Sequence, residues 1–175
     1  MGKYIMGIDI GTTSVKTILI SSEGKIVDEA SQDHDLISAH PGWAEEDAGV
    51  WWEGVLTTVK KITDRNQELQ GEIKGIGVSG MVPAVVMLDE KGEPVRNTIQ
   101  QNDARAVDQI RRVRKGLNQA ELFARTGGYT NQQHVIPRLL WVKETEPAVY
   151  EKTACVMGSY DYIVYRLTGK RSVEW

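Results

Sequence analysis

The sequence has one cysteine, no long apolar run and no excess of either charge, and each absence excludes a class of protein. Cys155 cannot form an internal disulfide and has no cysteine or histidine at metal-ligand spacing, which predicts a reducing, cytoplasmic location. No apolar stretch approaches the roughly 18 residues that a membrane helix needs, so a membrane partner is not expected. The 21 basic and 24 acidic side chains are interspersed, which argues against nucleic acid as a partner.

The sequence also lacks an internal repeat, a low-complexity tract and a linker rich in proline or glycine. A length of 175 residues is that of about one domain. Residues 1–7 run directly into a strand-like sequence, without the apolar segment and cleavage site of a secretory signal. We therefore expect one globular domain that is not exported.

Hydrophobic periodicity predicts strands first and helices later. Runs rich in β-branched residues predict strands at 4–10, 15–21, 25–32, 73–79, 84–89, 95–99 and 155–157, of which the first three form an antiparallel meander. Apolar residues three and four apart predict helices at 48–69, 103–115, 119–124, 136–144 and 160–167. Asp47 is the predicted N-cap of the first helix. This order favours an α+β or mixed α/β domain over a helical bundle or a β-sandwich.

The bend after the first predicted strand is the first segment that can carry chemistry. Asp9 ends the strand, and its carboxylate can orient a hydrated Mg²⁺. The amides and hydroxyls of Gly11, Thr12 and Thr13 lie close together and can hold phosphate oxygens, and Lys16 adds a cation nearby. The alternative is that this segment is only a hairpin turn.

A second polar cluster lies at residues 101–105. Asp103 can accept hydrogen bonds from the hydroxyls of a sugar or polyol, while Arg105 can hold that carboxylate in place or reach the ligand itself. Alternatively, Asn102 or Asp103 caps the helix that follows, and Arg105 lies on a solvated face.

The other distinctive side chains have mainly structural interpretations. The bend at 80–83 can approach a ligand, although Gly80 and Pro83 can also force a bend that needs none. The basic run 111–115 is interpreted as a solvated helix end, where cations favour the helix dipole. The histidines are scattered in loops or on the surface. Four tryptophans are interpreted as packing residues: Trp43, Trp51, Trp52 and Trp141.

Taken in order, these segments resemble the N-terminal part of the FGGY family of carbohydrate kinases. The resemblance rests on ordered blocks at 7–16, 41–47 with 51–52, 76–81, 88–92, 102–105, and 139–143 with 146–147, and it is closed by 168–169. It implies an α/β, ribonuclease-H-like (actin-like ATPase) fold. In that fold the sugar is held mainly by the first domain and ATP mainly by the second.

The resemblance implies ATP-dependent phosphorylation of a sugar or polyol hydroxyl, with ATP and Mg²⁺ as cofactors. It assigns Asp9 to the metal and Asp103 to the sugar. Thr12 and Thr13, with Gly11 and Lys16, are assigned to the phosphates of ATP.

Two departures from the family pattern leave the acceptor undefined. Many family members have tryptophan where this chain has Gln101, and kinases of the xylulose type have a Met-His pair where it has Val82 and Pro83. Met81, Gln101 and Gln133 are therefore the further candidates for sugar binding.

Family members run to roughly 500 residues, two to three domains, and their catalytic aspartate and ATP-binding domain lie beyond Trp175. We therefore expect residues 1–175 to be an incomplete N-terminal sugar-binding domain without a catalytic base, inactive alone and prone to form a homo-oligomer. Two alternatives stay open. One is a non-catalytic sugar- or nucleotide-binding module of the same fold. The other is a ribonuclease-H-like nuclease, which the unpatched charge disfavours.

Overall fold

The computed structural model describes residues 3–172; Met1, Gly2 and residues 173–175 lie outside the described part. The chain groups into two compact units. The first unit contains Met1–Leu36, Asp47–Met81 and Ser159–Trp175, and the second contains Ile37–Glu46 and Val82–Gly158.

Strands and helices follow one another nearly as predicted. The strands are β1 (Tyr4–Ile10), β2 (Ser14–Ser21), β3 (Ile26–Asp33), β4 (Glu45–Glu46), β5 (Ile73–Gly80), β6 (Val86–Leu88), β7 (Thr98–Ile99) and β8 (Cys155–Met157). The helices are α1 (Ala48–Arg65), α2 (Val107–Gly116), α3 (Gln119–Thr126), α4 (Val135–Thr145), α5 (Pro147–Lys152) and α6 (Ser159–Thr168). The predicted mixed α/β class is therefore confirmed. The short elements β4 and α5 were not predicted, because two to six residues carry too little periodicity.

A four-stranded sheet in the order β3-β2-β1-β5 forms the first unit. The predicted antiparallel meander of β1, β2 and β3 is confirmed, and β5 adds to the other edge in parallel with β1. A parallel neighbour requires a crossover connection, and α1 lies in it. This pairing brings the carboxyl ends of β1 and β5 to the same edge of the sheet.

Helix α1 packs on the sheet through a close approach. Its N-cap is Asp47, as predicted, whose Oδ1 accepts a hydrogen bond of 2.8 Å from the Gly49 amide. At the contact with β2, a Cβ on Gly54 would lie 2.9 Å from Cγ2 of Val15, so only glycine lets the helix come this near. The helix ends at Arg65 and not at the predicted residue 69. A 3-10 helix (Gln67–Glu72) takes over there.

The second unit is built around short strand pairs and an apolar cluster. β4 pairs with β7 and β6 pairs with β8, both antiparallel. The buried residues of the cluster are Val85, Met87, Ile99 and Val142. Helix α2 begins at Val107, four residues later than predicted. Within residues 3–172, no helix combines the length and the apolar character needed to cross a bilayer.

Candidate functional site

The bend after β1 leaves two threonines free. The Gly11 amide donates to the Ser14 carbonyl (2.9 Å), and the Thr13 carbonyl accepts from the His34 amide (2.9 Å). Because the turn itself uses the Gly11 amide, that amide is not free for a phosphate, which corrects part of the expectation for this loop. Thr12 and Thr13 are exposed, and neither hydroxyl has a protein partner within residues 3–172. The donors left for a ligand are therefore those of the threonines.

The bend needs glycine at position 11 because there is no room for a side chain. A Cβ at this position would lie 3.0 Å from the Ser14 carbonyl oxygen, the atom that closes the turn. Any larger residue would push the two strands apart at the bend.

Asp9, Lys16 and Ser79 share one side of the sheet. Asp9 lies opposite Lys16 on β2 and opposite Ser79 on β5, and cross-strand partners point to the same face. All three line a cavity of about 410 Å³ in the first unit. The other residues of the cavity wall are Gly7, Ile8, Ile18, Gly77 and Val78. A carboxylate, an ammonium and a hydroxyl thus converge beside the bend, and Ser79 was missed by the sequence analysis.

Lys16 has only a weak intramolecular partner. Its Nζ lies 3.5 Å from Oε2 of Glu29 on β3, and both side chains are about half exposed. Exposed pairs of this kind contribute little to stability. The ammonium can therefore turn to an anion in the cavity at small cost.

The first unit fits a metal that arrives with a nucleotide. Asp9 is an exposed carboxylate, and the part of the chain that the structure describes holds no group of three His, Cys, Asp or Glu residues suited to a metal ion. Mg²⁺ at phosphate sites commonly takes one or two protein carboxylates and completes its shell with phosphate oxygens and water. A single aspartate suits that arrangement, whereas it does not suit a permanent metal centre.

Asp103 is buried and fully engaged in the second unit. Its Oδ2 accepts from the Ala44 amide (2.7 Å) and from Nη2 of Arg105 (2.8 Å). Its Oδ1 accepts from the amide and from Nε of Arg105, both at 2.9 Å. The carboxylate has about four lone-pair positions, and its side chain is 0% exposed. The geometry therefore does not support Asp103 as a direct sugar ligand.

The alternative that Arg105 holds Asp103 in place fits these contacts. The helix-cap interpretation is wrong, because α2 begins at Val107 and its N-cap is Ala106. A solvated position for Arg105 is also wrong, since its side chain is 1% exposed.

Arg105 is packed between two tryptophans. Its guanidinium carbon lies 3.8 Å from the ring centroid of Trp43 and 4.9 Å from that of Trp141. The two rings meet edge to face with centroids 5.3 Å apart. The interpretation of Trp43 and Trp141 as packing residues is confirmed, and both also pack on a cation. A planar guanidinium can stack and pair with a carboxylate at once, which lysine cannot do.

A second arginine extends the network. Arg96 contacts Glu45 through Nη2, and its Nη1 donates to Oε2 of Glu146 at 2.5 Å. Nη1 of Arg105 lies 2.6 Å from the same Glu45. We call this set the arginine–tryptophan cluster; its members are Trp43, Glu45, Arg96, Asp103, Arg105, Trp141 and Glu146. Three of the sequence blocks, 41–47, 102–105 and 139–147, therefore meet in one buried cluster.

Arg138, on α4, joins three segments of the second unit. Its Nη1 donates to the carbonyl of Pro83 (2.9 Å), and its Nη2 donates to the carbonyls of Gln101 (3.0 Å) and Gln132 (2.6 Å). The residue is buried, and this burial lowers the pKa of the guanidinium to about 10. The sequence analysis missed Arg138, because a lone arginine in an apolar helix gives no motif signal.

The predicted sugar-binding residues are divided between the two units. Gln101 is half-buried in one of the segments that Arg138 joins, and Gln133, which is exposed, directly follows another. Met81 belongs to the first unit, where its amide donates to the Ile10 carbonyl (2.9 Å) and its carbonyl accepts from Oγ of Ser159 (2.6 Å). Its side chain is nearly buried.

Buried polar groups without a partner lie next to two of these segments. Gln100 is 1% exposed, and neither its side-chain oxygen nor its nitrogen has a hydrogen-bond partner within residues 3–172. The same holds for the hydroxyl of buried Thr130, just before the turn that contains Gln133. Most buried polar groups in proteins are paired, so the unpaired side-chain atoms of Gln100 and Thr130 are exceptions within the second unit.

Comparison with known families decides the relationship. The sequence profile of the FGGY family of carbohydrate kinases, N-terminal domain, matches residues 4–175. The chain belongs to this family. The FGGY chain is 33% identical over 171 residues to the xylulose kinase of Staphylococcus xylosus, an alignment that covers 98% of this chain and 35% of that protein.

Solved structures of FGGY kinases have the same fold. The xylulose kinase of Rhodospirillum rubrum superposes with a TM-score of 0.92 at 40% identity, covering 98% of this chain and 36% of that one. The gluconate kinase of Lactobacillus acidophilus gives 0.85 at 30% identity, covering 98% and 34%. The predicted ribonuclease-H-like, actin-like ATPase fold is confirmed. The FGGY chain spans about a third of the length of these relatives.

Proposed function

We propose that this FGGY chain is the acceptor-binding part of a kinase that transfers a phosphoryl group from ATP to a hydroxyl of a sugar or polyol. The observation that carries the proposal is the convergence of Asp9, Lys16 and Ser79 on one cavity beside two unpartnered threonines. Relatives over nearly the whole chain are named as xylulose and gluconate kinases, which supports the same chemistry.

The first unit carries the candidate phosphate-binding residues. Phosphoryl transfer depends mostly on positioning and on neutralising charge around the transferred group. Asp9 would hold Mg²⁺, which neutralises phosphate charge when it is bound. Lys16 places a positive charge in the cavity, and the hydroxyls of Thr12 and Thr13 are donors for phosphate oxygens.

The second unit carries Gln101 and Gln133, two of the candidate acceptor-binding residues. Side-chain amides such as those of Gln101 and Gln133 both donate and accept hydrogen bonds, as sugar hydroxyls do. They carry no charge, so they suit a neutral polyol and also the hydroxyl-bearing part of a sugar acid. Met81, in the first unit, stays a candidate for sugar binding, and Asp103 contributes by holding the main chain of the second unit in place.

Three aspartates within residues 3–172, namely Asp9, Asp103 and Asp161, do not fit the role of the catalytic base. Asp103 has no free lone pair, and Asp9 is the proposed metal ligand in the first unit. Asp161 is buried on α6. We therefore place the base outside residues 1–175, together with most of the ATP-binding surface, and expect the 175-residue chain alone to be inactive. A cytoplasmic location and a homo-oligomeric state also stay predictions.

The second candidate is a binding module without catalysis. The state of Asp103 favours it, because a carboxylate whose oxygens already accept hydrogen bonds cannot act as a base in this chain. Such a module would bind a sugar or a nucleotide through the same residues and transfer nothing. The two candidates differ only in turnover.

The test uses the protein encoded by the complete open reading frame, in an ATP-coupled assay with D- and L-xylulose, gluconate and glycerol. We expect phosphorylation of at least one acceptor, and a loss of about a hundredfold or more in Asp9→Asn. Asp64→Asn is the matched control, because Asp64 is an exposed partner of Lys60 on α1 and lies outside the cavity. Binding of sugar without any turnover would overturn the kinase proposal and support the binding module.

A further inference from the structure

We propose that Arg138 is a positioning residue of the acceptor site, whose guanidinium sets the relative placement of the segments that carry Pro83, Gln101 and Gln133. This inference rests on the proposed function. Arg138 does not need to touch the acceptor; it acts on the main chain that presents the side chains which do.

The hydrogen bonds show why one side chain has this effect. Pro83, Gln101 and Gln132 are distant in sequence, and each gives its carbonyl oxygen to the same guanidinium. A single nitrogen, Nη2, bridges Gln101 and Gln132, so these two carbonyls are held within the reach of one donor atom. Within residues 3–172, no backbone hydrogen bond joins the turn at 131–134 to the segments of Pro83 and Gln101. Arg138 therefore provides the polar link between them.

The chemistry of Arg138 differs from that of the other buried arginines. Arg96 and Arg105 are paired with carboxylates, whereas no ion pair of Arg138 occurs within residues 3–172. A buried cation without a carboxylate partner is costly, and an apolar side chain of similar volume could fill the same space at lower cost. Burial is the main cause of the lowered pKa of Arg138, which reflects the same cost of burying its charge. An apolar side chain could not, however, donate hydrogen bonds to the three carbonyl oxygens.

This set of hydrogen bonds requires a guanidinium group. Its planar fork presents donors from separate nitrogens at fixed angles, while the ammonium of lysine is one point on a flexible stem. Arg138→Lys therefore keeps the charge and releases at least one segment. Arg138→Met keeps the stem and removes all the donors. A displacement of about 1 Å in a substrate-positioning group can cost on the order of a hundredfold in rate.

The experiment compares kinetic constants in the complete protein, with the best acceptor among D-xylulose, L-xylulose, gluconate and glycerol. For Arg138→Lys we expect the KM for the acceptor to rise about tenfold, the KM for ATP to stay within about twofold, and kcat to fall less than the acceptor KM rises. Arg112→Lys is the matched control, because Arg112 is exposed on α2 and pairs with Glu144 (2.6 Å). We expect it to match the wild type.

Each outcome decides the proposal. An unchanged acceptor KM in a folded Arg138→Lys protein overturns it, and so does an equal rise in the KM for acceptor and for ATP, which a general loss of structure would cause. If Arg138→Met does not fold, Arg138→Lys still gives the answer.

Acceptor binding is measured separately, as the rise in melting temperature that the same sugars produce. If the wild type binds a sugar but transfers nothing, the kinase proposal fails while the Arg138 proposal is still decided by whether Arg138→Lys weakens that binding. A wild type that neither binds nor phosphorylates any of these acceptors overturns both proposals.

Discussion

The candidate charged residues of the two units differ in burial and in pairing. In the first unit, Asp9 and Lys16 are exposed and weakly partnered. In the second unit, Asp103 and Arg105 are buried and nearly every polar atom of the pair is engaged. The sequence blocks shared with the family therefore contain two kinds of charged residue, exposed ones with weak or no protein partners and buried ones that hold the main chain in place.

The physical reason lies in the cost of burying charge. A carboxylate that must bind a hydrated metal or face a phosphate has to remain accessible, so it cannot be paired inside the protein. A carboxylate that orders a loop must be shielded from water and fully paired, since an unpaired buried charge is strongly destabilising. The predictions below test this division, ordered by their expected effect on the free energy of unfolding.

Arg105→Met should cause the largest loss of stability. It removes the cation that pairs with Asp103 and Glu45 and leaves the Asp103 carboxylate buried without its main partner. We expect the free energy of unfolding to fall by about 3–5 kcal/mol, measured by urea denaturation of the complete protein. Arg111→Met, which breaks only an exposed pair with Asp108, should leave that free energy nearly unchanged. Equal effects of the two substitutions would contradict the structural role of the cluster.

Gly54→Ala should come second, and it tests whether the first unit depends on packing more than on charge. The added methyl would lie 2.9 Å from Val15 and force α1 away from β2. Overpacking of this kind costs about 1–3 kcal/mol, against a small gain in helix propensity. Gly116→Ala, at the end of α2, is the control, because its Cβ meets no atom within 4 Å. A Gly54→Ala protein as stable as the wild type in thermal denaturation would refute the close contact.

His34 should give the first unit a modest pH dependence. Burial lowers the pKa of this imidazole below 6.5, although Gly11, Asp33 and Asp35 oppose the shift. The folded state therefore binds the proton less well than the unfolded state. The stability contribution is complete above pH 6.5 and is lost as the pH falls from there through the lowered pKa. The difference in melting temperature between wild type and His34→Gln, recorded from pH 8 to pH 5, should shrink below pH 6.5. A constant difference would show that the histidine does not titrate in this way.

Replacing Thr12 and Thr13 together by valine should have the smallest effect on stability. Both residues are exposed in the bend, so we expect a change within about 0.5 kcal/mol. If the proposed function holds, kcat/KM for ATP should nevertheless fall about tenfold, because the donors for phosphate oxygens are gone. Thr63→Val, on α1, is the control for both measurements, because the partly exposed Thr63 hydroxyl donates only to the Lys60 carbonyl of its own helix. An unchanged kcat/KM for ATP in the double variant would indicate that the bend is only a turn between two strands.

How much of the fold could be predicted depended on the length of each element. Strands β1 to β3 and helix α1 have clear periodicity over seven or more residues, and their order and pairing were confirmed. The two residues of β4 are too few to show periodicity, and Glu45 and Glu46 form a strand by pairing with β7, more than fifty residues later.

Within the candidate site, the sequence identified features made by neighbouring residues but not those made by residues far apart in the chain. The bend at Gly11 and the carboxylate at Asp9 are neighbours in the chain, so the sequence alone identified them. The convergence of Ser79 on Asp9 needed the parallel register of β5, and the stacking of Arg105 on Trp141 needed the packing of α4.

The sequence by itself determined the hydrophobic periodicity of the longer strands and helices, the helix that Asp47 caps, and the family that the chain resembles. Only the tertiary structure decided that Asp103 is a buried anchor and that Arg138 joins three distant segments. The reason is that a side chain's role depends on whether water or protein surrounds it, and contacts made between residues far apart in the chain set that surrounding.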